Sequence, residues 1–343
     1  MATVKYAGEH LPDGWGVKAF GNTKMEVVPK VVCVTNGTSY LGLWIAVHLL
    51  RRGYIVRLTV DNPEELQKLK EMEEFEMHSN RVMVVVGSVS VEEASTLSEM
   101  FDGCYGVFHT SSFVDPYCVS GFTEHMANLE VKGAEKVVEA CSLTPSVRRL
   151  VFTSSLAACI WHSQGTAPSF VVDENCWSDP YLCREKKLWF ALAKTMAEKA
   201  AWKVAGERGG VNMVTICPAF LTGPAFSSSN SSSPIAYLKG GREMYENGVL
   251  ATAEVSRAAE AHVCVYQQMG GGGASGRYVC FHSLINSQSD ALDLEKTMKM
   301  QMGFSFLSDR DDYRGCLVRA GKVASAKLTR TIATSVNFNS CLS

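Results

Sequence analysis

The sequence predicts an α/β protein built on a doubly wound parallel sheet. Short β-branched runs recur along the chain, segments of roughly 10–15 residues with helical spacing separate them, and small or polar residues stand where each run ends. A chain of 343 residues fits one large or two modest domains and buries a full core.

The first strand is VVCVT at 31–35, apolar throughout and so buried on both faces. A turn of small residues leads into a helical pattern through LGLWIAVHLLRRG, which Gly53 ends after two arginines. YIVRLTV at 54–60 is the second strand and closes on Asp61-Asn62-Pro63. The charged segment EELQKLKEMEEFEMH reads as a solvated helix, and RVMVVVG at 81–87 as the third strand before a helix over 91–101. Strands four and five are GVFHTSS at 106–112 and RRLVFTSS at 148–155, with a helix over 125–143 between them. A helix running on through Lys194 to the Gly209-Gly210 pair precedes a strand at 211–224. Beyond the Ser-rich loop at 227–233 come a helix over 235–247, the segment TAEVSRAAEAHVCVYQ, a Gly-rich linker at 270–276 and a last strand, RYVCFH. Few apolar residues recur periodically in the final thirty residues, which predicts a loosely held tail.

Composition narrows the partners. With 33 Lys+Arg against 35 Asp+Glu, the net charge of −2 gives no electrostatic reason to expect nucleic acid or an anionic membrane. The N-terminal stretch has neither a basic nor an apolar leader segment, which predicts a cytoplasmic chain. Its 12 cysteines then read as reduced thiols packed in the core, and with no CxxC among them no metal site is expected.

In a doubly wound sheet the ligand sits beyond the carboxyl ends of the strands. The turn after the first strand is Thr35-Asn36-Gly37-Thr38-Ser39-Tyr40-Leu41-Gly42. A dinucleotide turn uses glycines for tightness and for close approach of the backbone to a pyrophosphate. Only Gly42 stands in register with a T-G-x-x-G-x-x-G spacing. Asn36 and Ser39 occupy the other two positions, and Gly37 is one residue off. Asn tolerates positive φ, so the first turn survives. Thr35, Gly37, Tyr40, Leu41 and Gly42 are the candidate cofactor-binding residues of this Rossmann-type turn. Asp61, at the end of the second strand, suits the ribose hydroxyls of NAD, or else caps the helix that starts at Pro63.

The stretches VCVTNGTSYLG, GVFHTSS, EKVVEAC, LVFTSSLAA, LWFALAKTMAEKAAW, VTICPAFLTGP and GRYVC resemble, in order and spacing, the extended short-chain dehydrogenase/reductases of plants. The resemblance covers about residues 30–285 and is to the cinnamoyl-CoA reductase and dihydroflavonol reductase group. GVFHTSSFVDPYCVSGFTEHMANLE and VVDENCWSDPYLCREKKLWFALAK are most similar to its atypical, cinnamoyl-CoA reductase-like branch, associated with lignin and defence. The resemblance implies a monomer with an arm at 1–27, an NAD(P)-binding Rossmann domain at 28–225 and a smaller substrate lobe at 226–310. A strand near 276–282 returns from that lobe to the sheet, and 311–343 is the loose tail.

Further roles come only from the resemblance. Ser155 is the serine that hydrogen-bonds the substrate carbonyl. Lys194 is the lysine that holds the nicotinamide ribose and lowers the pKa of a catalytic tyrosine one helical turn before it. At that position stands Phe190, which has no proton to give. Where the family has an arginine for the 2′-phosphate of NADP this chain has Asp61, and where it has an aspartate near the adenine this chain has Ser88. Pro218 matches the residue backing the nicotinamide ring, while His109 and Thr110 match the strand-four tip beside the substrate. The family cofactor is NADP, whereas Asp61 admits NAD. Tyr181, Tyr237 and His162 are the other residues able to donate a proton near the cleft. Two readings stand: a reductase of a phenylpropanoid carbonyl or thioester with weak or altered activity, and a non-catalytic dinucleotide- or phenylpropanoid-binding protein that acts through partners. Nucleotide-sugar epimerase or dehydratase chemistry usually needs the same tyrosine.

Overall fold

The computed structural model describes residues 30–110, 123–162, 171–226, 235–271, 273–302 and 323–332. The arm at 1–27 lies outside them, as does Ser227–Ser233.

Seven strands form one parallel sheet: β1 (Val31–Thr35), β2 (Ile55–Val60), β3 (Val82–Val86), β4 (Gly106–His109), β5 (Arg149–Thr153), β6 (Asn212–Pro218) and β9 (Gly276–Cys280). Their order is β3-β2-β1-β4-β5-β6-β9, so the winding reverses between β1 and β4. A ligand crevice opens at such a switch point. Successive side chains of a strand point to opposite faces. Accordingly Val32 and Val34 enter one apolar layer with α1 (Tyr40–Arg51) and α9 (Val255–Gln268), while Cys33 enters the other with α4 (Ala94–Phe101) and α5 (Glu124–Leu143). A Cβ on Gly106 would lie 2.4 Å from the Tyr266 ring, so the glycine lets α9 approach β4.

The single strand expected over 211–224 is two. β6 ends at Pro218, and the chain crosses to β7 (Phe220–Thr222), which joins β8 (Ala251–Glu254) and β10 (Ser283–Leu284) in a second, three-stranded sheet. Ala219 between them keeps its amide bonded to the Cys280 carbonyl. The helix expected over 235–247 is likewise broken, into a 3-10 turn at Ile235–Leu238 and α8 (Gly241–Glu246). Gly240 sits there at φ +82°, and a Cβ on it would meet the Trp161 ring at 2.6 Å. Charged residues expected to form one helix after β2 form α2 (Pro63–Lys70) and α3 (Glu73–Glu76).

Three further helices are α6 (Pro180–Glu185), α7 (Trp189–Arg208), whose face of Ala193, Ala197 and Ala201 is buried and which packs closely on α5, and α10 (Gln288–Met302). Sequence periodicity had left 288–302 without an element. Within the expected loose tail, residues 323–332 are held: Val323 bridges Val172, and Lys327 donates to the carbonyls of Ser275 and Arg277. No helix among the described residues is long and apolar enough to cross a membrane.

Candidate active site

The turn after β1 keeps its shape without two of the glycines. Asn36 adopts φ +48°, in the left-handed region that asparagine tolerates. Ser39 caps α1, its hydroxyl accepting from the Gly42 amide at 3.1 Å. A Cβ on Gly37 would lie 2.8 Å from that of Leu58, and one on Gly42 would lie 2.6 Å from the Asn36 carbonyl. Both glycines therefore serve the packing of the turn itself. The first turn of α1 carries no acid, and the amides of Tyr40 and Leu41 belong to the donors a helix leaves without internal acceptors. The Tyr40 hydroxyl points away, donating to the Gly223 carbonyl at 2.8 Å.

At the tip of β2 two carboxylates lie together. Asn62, not Asp61, caps α2, which corrects the capping alternative for Asp61. Burial pushes the Asp61 carboxyl up, and the Ser88 hydroxyl that hydrogen-bonds it acts against that rise. Glu65, which the sequence reading passed over, accepts from the Thr38 hydroxyl and the Asp61 amide. Asp61 and Ser88, both expected near the adenosine, are thus in contact.

The tips of β1 and β4 are cross-linked below the turn. Thr35 Oγ1 lies 2.9 Å from His109 Nδ1, and the Thr110 hydroxyl donates to the Thr35 carbonyl. His109 and Thr110 are both buried. At the end of β5, Ser155 caps a 3-10 turn at Leu156–Ala158 by accepting from the Ala157 amide at 3.2 Å. Lys194 and Phe190 lie one turn apart on α7, with the Lys194 ammonium 5.8 Å from the centre of the Phe190 ring. Pro218 ends β6 beside Cys280 of β9.

The sequence pattern of the 3-beta hydroxysteroid dehydrogenase/isomerase family matches residues 33–272. The chain belongs to that family. It is 37% identical over 262 residues to cinnamoyl-CoA reductase 1 of Petunia hybrida, covering 75% of this chain and 74% of that protein. It is 32% identical over 260 residues to tetraketide alpha-pyrone reductase 1 of Arabidopsis thaliana, covering 74% and 77%. Among solved structures it resembles vestitone reductase from alfalfa, with a TM-score of 0.62 and 24% identity over 88% of this chain and 91% of that one. Yeast methylglyoxal/isovaleraldehyde reductase, complexed with NADPH, gives a TM-score of 0.64 at 17% identity over 88% and 93%. The fold of this family member is therefore the reductase fold expected from its motifs.

Besides Glu65, three residues of this family member were not singled out from its sequence. Glu130, on the face of α5 toward α7, places Oε1 2.6 Å from Lys194 Nζ, with the side chains 3% and 8% exposed. Glu198, one turn after Lys194, accepts from the Ser154 hydroxyl at 2.7 Å and pairs with Arg277 of β9 at 2.7 Å. Arg277 also donates to the carbonyls of Glu174 and Cys176 and stacks on Trp177, its Cζ 3.6 Å from the ring centre. Neither acid is rare in type; the signal was a lone Glu amid small apolar residues at helical spacing, which demands a buried partner.

The three substitute donors separate by geometry. Tyr181 is 75% exposed on α6. His162 is half-buried, with Nε2 3.1 Å from the Cys159 carbonyl. Tyr237 is buried, its ring edge-on to Phe190 at 6.0 Å and its hydroxyl pushed up by burial.

Burial also pushes His109 and His262 down to about 4. Each takes up a proton near pH 6.5 in the unfolded chain. Between those values the unfolded state binds more protons, so stability is full above about pH 6.5 and falls as the pH drops toward 4. Denaturant titration should show a loss of roughly 2 kcal/mol per ring between pH 7 and pH 5. An unchanged unfolding free energy over that interval would mean that the rings are protonated in the folded protein.

Proposed function

We propose that this chain is a nicotinamide-dinucleotide-dependent reductase of a phenylpropanoid-type carbonyl or CoA thioester, acting as a monomer and slowed by the loss of a phenol at position 190. The observation that carries the reading is the packing of α7, which bears position 190 and Lys194, against the 3-10 turn that Ser155 caps after β5, in a chain 37% identical to a cinnamoyl-CoA reductase.

The residues present fit a dinucleotide. The acid-free start of α1 suits a diphosphate, Asp61 with Ser88 and Glu65 suits the adenosine ribose, and Lys194 suits the nicotinamide ribose, with Pro218 behind the ring. When bound, such a group supplies a hydride to the carbonyl carbon. Ser155 then donates its hydroxyl to the carbonyl oxygen, a fixed dipole aimed where charge develops. Phe190 leaves the final protonation to water: of the alkoxide for a carbonyl substrate, or of the departing CoA thiolate when the alkoxide of a thioester adduct collapses to the aldehyde.

Two carboxylates at the tip of β2 repel a 2′-phosphate, so NADPH should bind no more than about tenfold tighter than NADH. Titration of nicotinamide fluorescence checks this, and a preference for NADPH of a hundredfold or more would refute the role given to Asp61. Consumption of the reduced dinucleotide with hydroxycinnamoyl-CoA thioesters tests the reaction itself. The missing phenol favours one other reading, a non-catalytic dinucleotide- or phenylpropanoid-binding protein, and tight binding with no turnover would select it.

A further inference from the structure

Lys194 is buried, and its ammonium faces a carboxylate from another helix. Glu130 stands on α5 among buried small and apolar residues, Ala127, Gly133, Ala134 and Val137, at the spacing of one helix face. A charge there is not needed to join two helices. A buried ion pair seldom holds elements together better than apolar side chains of like volume. The pair is therefore better explained by what Lys194 has to do. A lysine ammonium is a point charge on a flexible four-carbon stem, and without a partner it samples many positions. It also has three donors, so one bond to a carboxylate is compatible with bonds to ribose hydroxyls. Next to the pair lies His109, neutral at physiological pH, with Glu130 and Lys194 acting on it in opposite directions. The carboxylate thus balances the lysine charge locally.

We propose that Glu130 is a positioning residue of the dinucleotide site, fixing the Lys194 ammonium at the nicotinamide-ribose end through its charge-assisted hydrogen bond. This rests on the reading of the chain as a dinucleotide-dependent reductase. The partner of the lysine comes from α5, outside every segment that forms the turn, the strand tips or position 190. Ordering Lys194 beforehand removes a cost that ribose binding would otherwise meet.

The test is the dissociation constant for NADH and NADPH, read from nicotinamide fluorescence with the full chain, together with the melting temperature of each variant. Glu130→Ala should weaken binding about tenfold or more. Glu130→Gln keeps an acceptor oxygen of the same reach without the charge, and should weaken binding by less than Glu130→Ala does. Adding Glu130→Ala to Lys194→Met should weaken binding no further than Lys194→Met alone, since both act through one contact. Should Glu130→Ala fail to fold, Glu130→Asp keeps the charge one methylene short and should weaken binding several-fold. A lowered melting temperature with an unchanged dissociation constant would make Glu130 purely structural and overturn the proposal. Tighter binding by Glu130→Ala would overturn it too, since the carboxylate would then compete with the ribose for Lys194. If the natural protein binds neither dinucleotide, the reductase reading falls together with this one.

Discussion

Phe190→Tyr is expected to speed carbonyl reduction by a factor of about ten or more. A positioned general acid contributes roughly 10²–10⁴-fold, and the natural side chain contributes none of it. The surroundings for a phenol are already in place. The Phe190 ring is held edge-on by Tyr237, it is 6% exposed, and the Lys194 ammonium lies 5.8 Å from its centre. A cation at that distance favours the phenolate and so eases proton release. Glu130 works against this, because its carboxylate 2.6 Å from Lys194 offsets the cation. The gain should therefore fall toward the lower end of the range. The measurement is kcat for a hydroxycinnamoyl-CoA thioester at saturating dinucleotide. An unaltered kcat in a variant that still binds the dinucleotide would show that the phenol is not what limits the reaction.

Arg277→Met should destabilise the fold by about 3–5 kcal/mol, the usual cost of removing one partner of a buried ion pair. Glu198 is fully buried, and its two oxygens are held by Arg277 and the Ser154 hydroxyl. Without the guanidinium its charge has no water to turn to, and the carbonyls of Glu174 and Cys176 lose their donor. Differential scanning calorimetry should record a fall in melting temperature of about 4–7 °C. The double variant Arg277→Met, Glu198→Gln should lose less than the sum of the two single losses, since the second change removes the stranded charge. A loss under about 1 kcal/mol for Arg277→Met alone would mean that the buried pair does not hold the fold together.

The parallel sheet was legible because β1, β2, β4, β5 and β6 are buried along nearly their whole length, and their β-branched runs state it without needing alternation. Local pattern does not register where a strand changes sheets. The run 211–224 reads as one strand, and only the pairing of Pro218 with Cys280 and of Phe220 with Thr252 divides it. The helix α10 escaped notice because its buried stripe of Ala291, Leu294 and Met298 is thin within a charged segment. Candidate site residues with a sequence-local signature, such as Gly42, Ser155 and Lys194, could be proposed from the sequence. Partners drawn from distant segments could not. Glu130 is 64 residues from Lys194 and Arg277 is 79 from Glu198, and nothing in either stretch announces its partner. The same holds for Asp61, whose capping role went to the adjacent Asn62 because that side chain accepts from the Glu65 amide.

Arg277 also sets an order on assembly. A ribosome delivers β5, with Ser154 and Ser155, and then α7, with Glu198, well before β9. The strand that neutralises Glu198 arrives only after the Gly-rich linker, 79 residues later. Until then the emerging polypeptide has a carboxylate that it cannot bury without cost, next to the serine pair. The Glu198 carboxylate beside the tip of β5 therefore gains its counter-charge only when β9 docks on the β6 edge. Completion of the chain past the linker, rather than formation of the first βαβ units, is what supplies that charge.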